Sequence, residues 1–212
     1  MEIFMTLSKT FKLSTAALFS AALFAGTASA KVPTGTTVSD MQVTDSNGTV
    51  HNLSDFAGKN VVLEWTNDGC PYVKKHYKSG NMQALQKEAT ADGDTVWLSV
   101  ISSAPGKQGY KTGEEANAHV AETGAAPTAV ILDADGVKGR TFSAKTTPHM
   151  YVINADQTLV YQGAIDDDRS ADPSKAKTAN NFVRAALSAV KSGSPVAVSE
   201  TTPYGCSVKY GS

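Results

Sequence analysis

The stretch EWTNDGCPYVKKH, residues 64–76, joins a predicted buried strand to a predicted helix and places Cys70 at the junction. The apolar residues 61–63 just before it predict that strand, because polar residues bound them on both sides. Pro71 suits the first position of a helix, where its missing N–H costs no hydrogen bond. Cys70 is therefore predicted at a helix N-terminus, where unpaired N–H groups and the helix dipole favour a negative charge.

Cys70 is accordingly predicted to be a reactive thiolate. Lys74, four residues further along, is expected on the same face of the helix, where it would add a positive charge. Both effects lower the pKa of a thiol, and the thiolate is the nucleophilic form. The alternative is a buried structural thiol, which has no need of an electropositive setting.

Residues 1–30 have the features of a secretory signal peptide, and an A-x-A signal at 28–30 predicts cleavage after Ala30. An uncleaved N-terminal anchor is the rival interpretation. Cleavage would leave a periplasmic or secreted protein with no membrane contact, in a compartment where two cysteines can form a disulfide. The net charge of -1, from 19 basic and 20 acidic residues, argues against a nucleic-acid partner.

Predicted strands alternate with predicted helices along the chain. The strands are expected at 38–43, 50–53, 60–65, 94–102, 128–132, 150–153 and 159–161, and the helices at 71–78, 82–91, 112–122, 137–142 and 175–191. This order predicts an α/β fold whose sheet has a largely parallel centre and a final antiparallel hairpin. We expect a single domain over 31–193 and a C-terminal tail over 194–212 that carries Cys206.

Three segments resemble thioredoxin-fold redoxins: residues 45–65, Cys70 at the place of the first, nucleophilic cysteine, and the loop Thr146-Thr147-Pro148. That loop is similar to the cis-proline loop that faces the nucleophile in thioredoxin-like proteins. Residues 70–74 and 204–210 are similar to the peroxiredoxin-like branch of the AhpC/TSA redoxins. The resemblance implies a thioredoxin-like fold, with a central mixed sheet flanked by helices. It also implies a thiol-dependent antioxidant activity that needs no cofactor and no metal.

The chain also departs from its relatives at motif positions. Val73 stands at the second cysteine of the thioredoxin Cys-x-x-Cys motif, so a single-site dithiol is absent. Leu63 and Asn67 stand at the Pro and Thr/Ser positions of the peroxiredoxin motif Pro-x-x-x-Thr/Ser-x-x-Cys. The peroxiredoxin arginine has no counterpart, since the Thr147-Pro148 loop takes its place. Asn67 and backbone N–H groups are the candidates to polarise a peroxide instead.

These residues together define the expected chemistry. The Cys70 thiolate would attack a peroxide or a disulfide, and Cys206, the second of the two cysteines, would resolve the product within the chain or in a second subunit. A thiol reductant protein would restore both thiols. A static disulfide between them is the alternative. Glu64 stands at the position of the buried carboxylate of thioredoxins and could shuttle a proton, unless it reaches solvent.

Two other functions stay open at this point. A thiol–disulfide reductase that acts on proteins would use the same nucleophile. A non-catalytic redoxin could instead carry copper on Cys70, His149 and Cys206, although their spacing matches no recognised ligand pattern.

Overall fold

A computed structural model describes residues 1–2, 31–38 and 40–212. The predicted signal peptide and its cleavage site lie almost wholly outside these residues. Within the described part of the chain, no helix combines the length and the apolar character that crossing a bilayer requires.

Residues 31–38 and 40–212 form nine strands and five α-helices. The strands are β1 (Gln42–Thr44), β2 (Val50–Asn52), β3 (Asn60–Trp65), β4 (Thr95–Ile101), β5 (Ala129–Leu132), β6 (Thr146–Thr147), β7 (His149–Ile153), β8 (Leu159–Gly163) and β9 (Cys206–Ser207). The helices are α1 (Pro71–Lys78), α2 (Asn81–Thr90), α3 (Gly113–Thr123), α4 (Val137–Thr141) and α5 (Phe182–Lys191), with 3-10 turns at Leu53–Phe56 and Pro173–Lys177.

The central sheet has five strands in the order β5-β4-β3-β7-β8. Strands β3, β4 and β5 are parallel, whereas β7 and β8 are antiparallel additions on the other side of β3. Every residue of β3 is buried, as its position in the middle of a sheet covered on both faces requires. The prediction of a thioredoxin-like α/β fold is therefore confirmed, including the parallel centre and the final hairpin.

One predicted helix begins later than expected. The pattern predicted a helix over 175–191, but α5 starts at Phe182, and Asn181 caps it by accepting a hydrogen bond from the Arg184 N–H. The preceding residues turn away because Asn181 pairs with Asp166 and the Phe182 N–H donates to the Ile165 carbonyl. The first predicted strand, 38–43, is similarly reduced to the short β1.

The tail folds back over the domain. Its first part lies along β8, where the Gln162 N–H donates to the Ser199 carbonyl and the Thr201 N–H donates to the Gln162 carbonyl. Its second part crosses the loop before β7, because β9 pairs antiparallel with β6. Tyr204 is buried between these two segments. The tail therefore reaches Cys70 within its own chain.

Candidate active site

Cys70 is the N-cap residue of α1, as the proline at the following position predicted. Its N–H donates to the Asn67 carbonyl at 3.0 Å, and its carbonyl accepts from the Lys74 N–H at 2.9 Å. The side chain is 0% exposed, and in the thiol form Sγ donates to the Thr147 carbonyl at 3.0 Å. The Cys70 sulfur thus lies between the start of α1 and the strand before Pro148.

Cys206 faces Cys70 from the tail. In the β6–β9 ladder Cys206 stands directly opposite Thr147, the residue whose carbonyl contacts the Cys70 sulfur. The Cys206 thiol also lowers the pKa of Cys70, and the two cysteines are present as free thiols. The two side chains that a redox couple needs are therefore brought together in one chain.

The surroundings of the two thiols push their pKa values apart. Burial raises the pKa of Cys70, but the Cys206 thiol and the N–H groups of Val73 and Cys206 outweigh it, so the pKa lies below its usual value. Burial and the neighbouring charge of Cys70 raise the pKa of Cys206 to about 11. Cys70 is thus the group that ionises first, and Cys206 keeps its proton.

Pro148 lies between β6 and β7, and the Thr147–Pro148 peptide bond is cis. The backbone of Gly205 approaches this loop closely: a Cβ added there would lie 2.1 Å from the Thr147 carbonyl oxygen. Its φ of +134° is also a conformation that favours glycine. Only glycine therefore lets the tail come near enough to place Cys206 at the site.

The Thr147 hydroxyl is a site group that the sequence analysis did not single out. Thr147 is 2% exposed, and its Oγ1 makes no hydrogen bond to another group within the described residues. The same side chain acts on Cys70, since it helps to lower the pKa of that thiol. A buried hydroxyl beside the nucleophile is thus free to donate a hydrogen bond.

Asn67 shapes the loop that leads into α1. Its Oδ1 accepts from the Gly69 N–H at 2.9 Å, and its Nδ2 donates to the Gln108 carbonyl at 3.1 Å. The side chain is buried, and its backbone carbonyl receives the Cys70 N–H. Asn67 therefore holds the nucleophile's loop in place by several bonds at once.

Lys74 lies one helical turn from Cys70, and its role as a positive charge beside the thiol stays a prediction. Its side chain is exposed and, within the described residues, makes no hydrogen bond or ion pair with Cys70. The polar groups around the thiol are instead the N–H groups of Val73 and Cys206. The adjacent Lys75 is the lysine that α1 turns into the protein interior.

Glu64 is fully buried at the end of β3, so the alternative that it reaches solvent is wrong. Its carboxylate accepts hydrogen bonds from the side chains of Tyr77 (2.9 Å), Gln86 (3.2 Å), Trp97 (2.9 Å) and Ser99 (2.9 Å). Burial raises the pKa of Glu64 in spite of these four bonds. A buried acid of raised pKa keeps its proton to higher pH than an exposed carboxyl does.

A second buried polar cluster was missed by the sequence analysis. Lys75 Nζ lies 3.2 Å from Asp166 Oδ2, and their side chains are 0% and 1% exposed. The Tyr204 hydroxyl donates to Asp166 and lies 3.3 Å from Lys75 Nζ. No local signal distinguishes Lys75 from its neighbour Lys74, so only the packing of α1 reveals it.

The copper hypothesis finds no support in the geometry. His149 Nδ1 bonds to the Tyr151 hydroxyl at 3.1 Å and to the Lys145 N–H at 3.3 Å. Burial and nearby lysine charges lower the pKa of His149 to about 3. Across the described ranges, no three His, Cys, Asp or Glu side chains are grouped so that they could hold a metal ion.

Solved structures share this fold. An uncharacterised conserved protein of Geobacillus kaustophilus is 23% identical, with a TM-score of 0.72 over 84% of this chain and 93% of its own. A hypothetical protein of Sinorhizobium meliloti 1021, SMc02350, is 22% identical, with a TM-score of 0.70 over 86% and 97%. Peroxidoxin BcpB of Mycobacterium tuberculosis is 18% identical, with a TM-score of 0.51 over 75% and 96%. No curated protein matches the chain.

The fold and the paired thiols define a thioredoxin-fold protein with a cysteine at the N-terminus of its first long helix. The family model named Redoxin matches residues 27–179, which is most of the chain. The chain therefore belongs to the redoxin family, and the recognition made from residues 45–65, 70 and 146–148 is confirmed.

Proposed function

We propose that this chain is an exported, peroxiredoxin-like thiol oxidoreductase in which Cys70 attacks a peroxide and Cys206 resolves the product. The observation that carries the proposal is the β6–β9 register, which sets Cys206 opposite Thr147 and against the Cys70 sulfur. The opposite pKa shifts of the two thiols support Cys70 as the attacking sulfur and Cys206 as the resolving sulfur.

In the first step the Cys70 thiolate attacks one oxygen of the peroxide and the O–O bond breaks. The departing alkoxide or hydroxide takes a proton, and Cys70 is left as a sulfenic acid. We assign polarisation of the peroxide to the Thr147 hydroxyl, which is buried and unpartnered within the described residues, in the role for which Asn67 was the sequence candidate. The N–H groups of Val73 and Cys206 stabilise the thiolate before the attack.

In the second step the Cys206 sulfur attacks the Cys70 sulfur, water leaves, and a disulfide forms between the two residues. Cys206 must lose its proton as it attacks, and its raised pKa keeps that proton in place until the sulfenic acid exists. A dithiol reductant protein then reduces the disulfide by thiol exchange and restores both thiols. No cofactor is needed to balance these steps.

Glu64 and Pro148 support this chemistry from a distance. Glu64 is joined to α1 through the Tyr77 hydroxyl, and its raised pKa suits a reservoir for the protons that the thiols exchange. Pro148 lacks an N–H and so ends the β6 pairing beside the thiols.

A thiol titration with single-residue variants tests the proposal. One equivalent of peroxide, without reductant, should remove both thiols of the wild type. It should remove only the Cys70 thiol of Cys206→Ser, which leaves a sulfenic acid that a dimedone reagent labels. Cys70→Ser should retain the Cys206 thiol. The proposal fails if Cys70→Ser consumes peroxide at the wild-type rate.

A thiol–disulfide reductase acting on proteins is the second candidate, because one observation favours it. The tail lies on β6 as an extended strand with a cysteine facing Cys70, which is the arrangement in which a protein disulfide would be attacked. In that case Cys206→Ser should accumulate mixed disulfides with partner proteins through Cys70. The absence of such species alongside peroxide consumption would reject this candidate.

Export is also proposed from the leader over residues 1–30. Cleavage after Ala30 would begin the mature protein at Lys31, in a compartment where the disulfide state of the couple can accumulate. Sequencing the N-terminus of the protein purified from the periplasm or medium tests this. A chain retained with its N-terminal residues intact would contradict it.

A further inference from the structure

We propose that Tyr204 is a positioning residue that docks the tail, so that Cys206 faces Cys70 when docked and Cys70 opens to substrate when released. The consequence of docking for catalytic turnover rests on the proposed function, whereas the docking itself does not. The docking itself is a property of the buried cluster formed by Lys75, Asp166 and Tyr204.

Tyr204 ties the tail to the helix that carries the nucleophile. Its hydroxyl donates to Asp166 and lies 3.3 Å from both Lys75 Nζ and His76 Nε2. Its ring is buried and packs edge-on against Tyr72 of α1, with ring centroids 5.8 Å apart. Three of these four contacts are to α1, whose N-cap is Cys70. Docking of Tyr204 therefore fixes the tail relative to Cys70.

The tail completes the hydrogen bonding of the buried charges. Lys75 and Asp166 form an ion pair that is almost inaccessible to solvent, and Lys75 also donates to the Asp168 carbonyl at 2.5 Å. A buried ion pair is stable only when its remaining donors and acceptors are also bonded. The Tyr204 hydroxyl supplies that bond to Asp166. Burial and the Asp166 charge raise the pKa of Tyr204, so the hydroxyl keeps the proton it donates.

The remaining attachment near the thiols is short. The β6–β9 ladder has only two residue pairs, and Gly205 is the one residue between Tyr204 and Cys206. Beyond Cys206 the tail is held again, because the Val208 N–H donates to the Lys145 carbonyl and the Lys209 carbonyl accepts from the Ala104 N–H. Tyr204 is thus the anchor on the N-terminal side of Cys206, and its release leaves Cys206 held from one side only. Since Cys70 is 0% exposed in the docked arrangement, the same release also uncovers the nucleophile.

Removal of the Tyr204 hydroxyl should consequently change two properties in opposite directions. The Cys70 sulfur should become more accessible, and the Cys206 sulfur should meet it less often. General destabilisation would move both properties in these same directions, so a separate check on folding is needed to distinguish it from release of the tail.

The experiment compares Tyr204→Phe with the wild type by two measurements. Iodoacetamide alkylation of Cys70, in a Cys206→Ser background, reports exposure of the nucleophile. Equilibration with reduced and oxidised glutathione reports the effective concentration of the two thiols, since one oxidised glutathione and both thiols give the internal disulfide and two reduced glutathiones. Loss of one hydrogen bond to a charged group should speed alkylation about tenfold and lower the effective concentration about tenfold.

Tyr151→Phe is the matched control, because it removes a buried tyrosine hydroxyl that donates to the Phe142 carbonyl in the core. Both measurements should stay within about twofold of the wild type in this control. Hydrogen exchange provides a check on folding: Tyr204→Phe should accelerate exchange in 204–208 and leave β3 protected. Faster exchange throughout β3 would show that the variant acts on the whole domain and would overturn the proposal.

Unchanged alkylation and unchanged effective concentration in Tyr204→Phe would also overturn it, as would two changes in the same direction. Neither measurement uses a peroxide, so the outcomes separate the two proposals. Opposite shifts together with no reaction of Cys70 with peroxide would sustain the docking role and reject the peroxidase function. A peroxide-reactive Cys70 with no effect of Tyr204→Phe would do the reverse.

Discussion

Replacement of Cys206 by alanine should raise the pKa of the Cys70 thiol. Of the groups that lower the pKa of Cys70, the Cys206 thiol acts most strongly, as a hydrogen-bond donor to the thiolate, and the N–H groups of Val73 and Cys206 follow. Cys206→Ala removes only the side-chain donor, because both backbone groups remain. The thiolate loses one of its stabilising partners while the thiol loses little.

The size of the effect follows from the strength of that bond. A hydrogen bond to a charged group contributes about 1.5–3 kcal/mol, and one pKa unit corresponds to about 1.4 kcal/mol. The pKa of Cys70 should therefore rise by about one to two units. The smaller side chain also admits some solvent, which offsets part of the rise, so a value near one unit is expected.

The pH dependence of thiolate absorbance near 240 nm, or of iodoacetamide alkylation, measures this pKa directly. Cys206→Ser is the matched control, since serine retains a hydroxyl donor at the same position and should shift the pKa less than alanine does. A pKa in Cys206→Ala equal to or below that of the wild type would refute the reasoning.

Three other substitutions test the tail, the buried lysine and the buried acid. Gly205→Ala brings a methyl group against the Thr147 carbonyl oxygen, so the effective concentration of the two thiols, measured by glutathione equilibration, should fall about tenfold or more. Lys75→Met leaves a buried carboxylate without its cation and should cost about 3–5 kcal/mol in urea unfolding. The exposed neighbour change Lys74→Met should stay within about 0.5 kcal/mol. Because burial raises the pKa of Glu64, the folded protein holds that proton to higher pH than the unfolded chain does. The wild type should therefore lose stability relative to Glu64→Gln as the pH rises from 4 to 8, and a constant difference would contradict this.

Local signals in the sequence predicted much of the fold. Pro71 marks the start of α1, Gly80 separates α1 from α2, and Thr112 caps α3 with a bond from the Glu115 N–H. Each signal acts through its own neighbours, so no knowledge of the tertiary fold is required. The late start of α5 could not be predicted in this way, because pairing of residues 180–182 with 165–167 decides it.

The position of Cys70 at the start of a helix was predictable, whereas its environment was not. Cys70 follows from a strand, a turn and a proline in sequence order. The choice between Lys74 and Lys75 as the buried lysine depends on which face of α1 meets Asp166, 91 residues away. Whether Cys206 belongs to the same site depends on how the tail packs, and a separation of 136 residues carries no such information.

The central claim is that Cys70 and Cys206 form a redox couple within one chain. Intact mass and peptide mapping after one equivalent of peroxide test it most directly. The account predicts a monomer that has lost two hydrogen atoms, with the Cys70 and Cys206 peptides joined by a disulfide. A chain that carries sulfinic acid on Cys70 beside a free Cys206 thiol, or a dimer cross-linked through these residues, would contradict it.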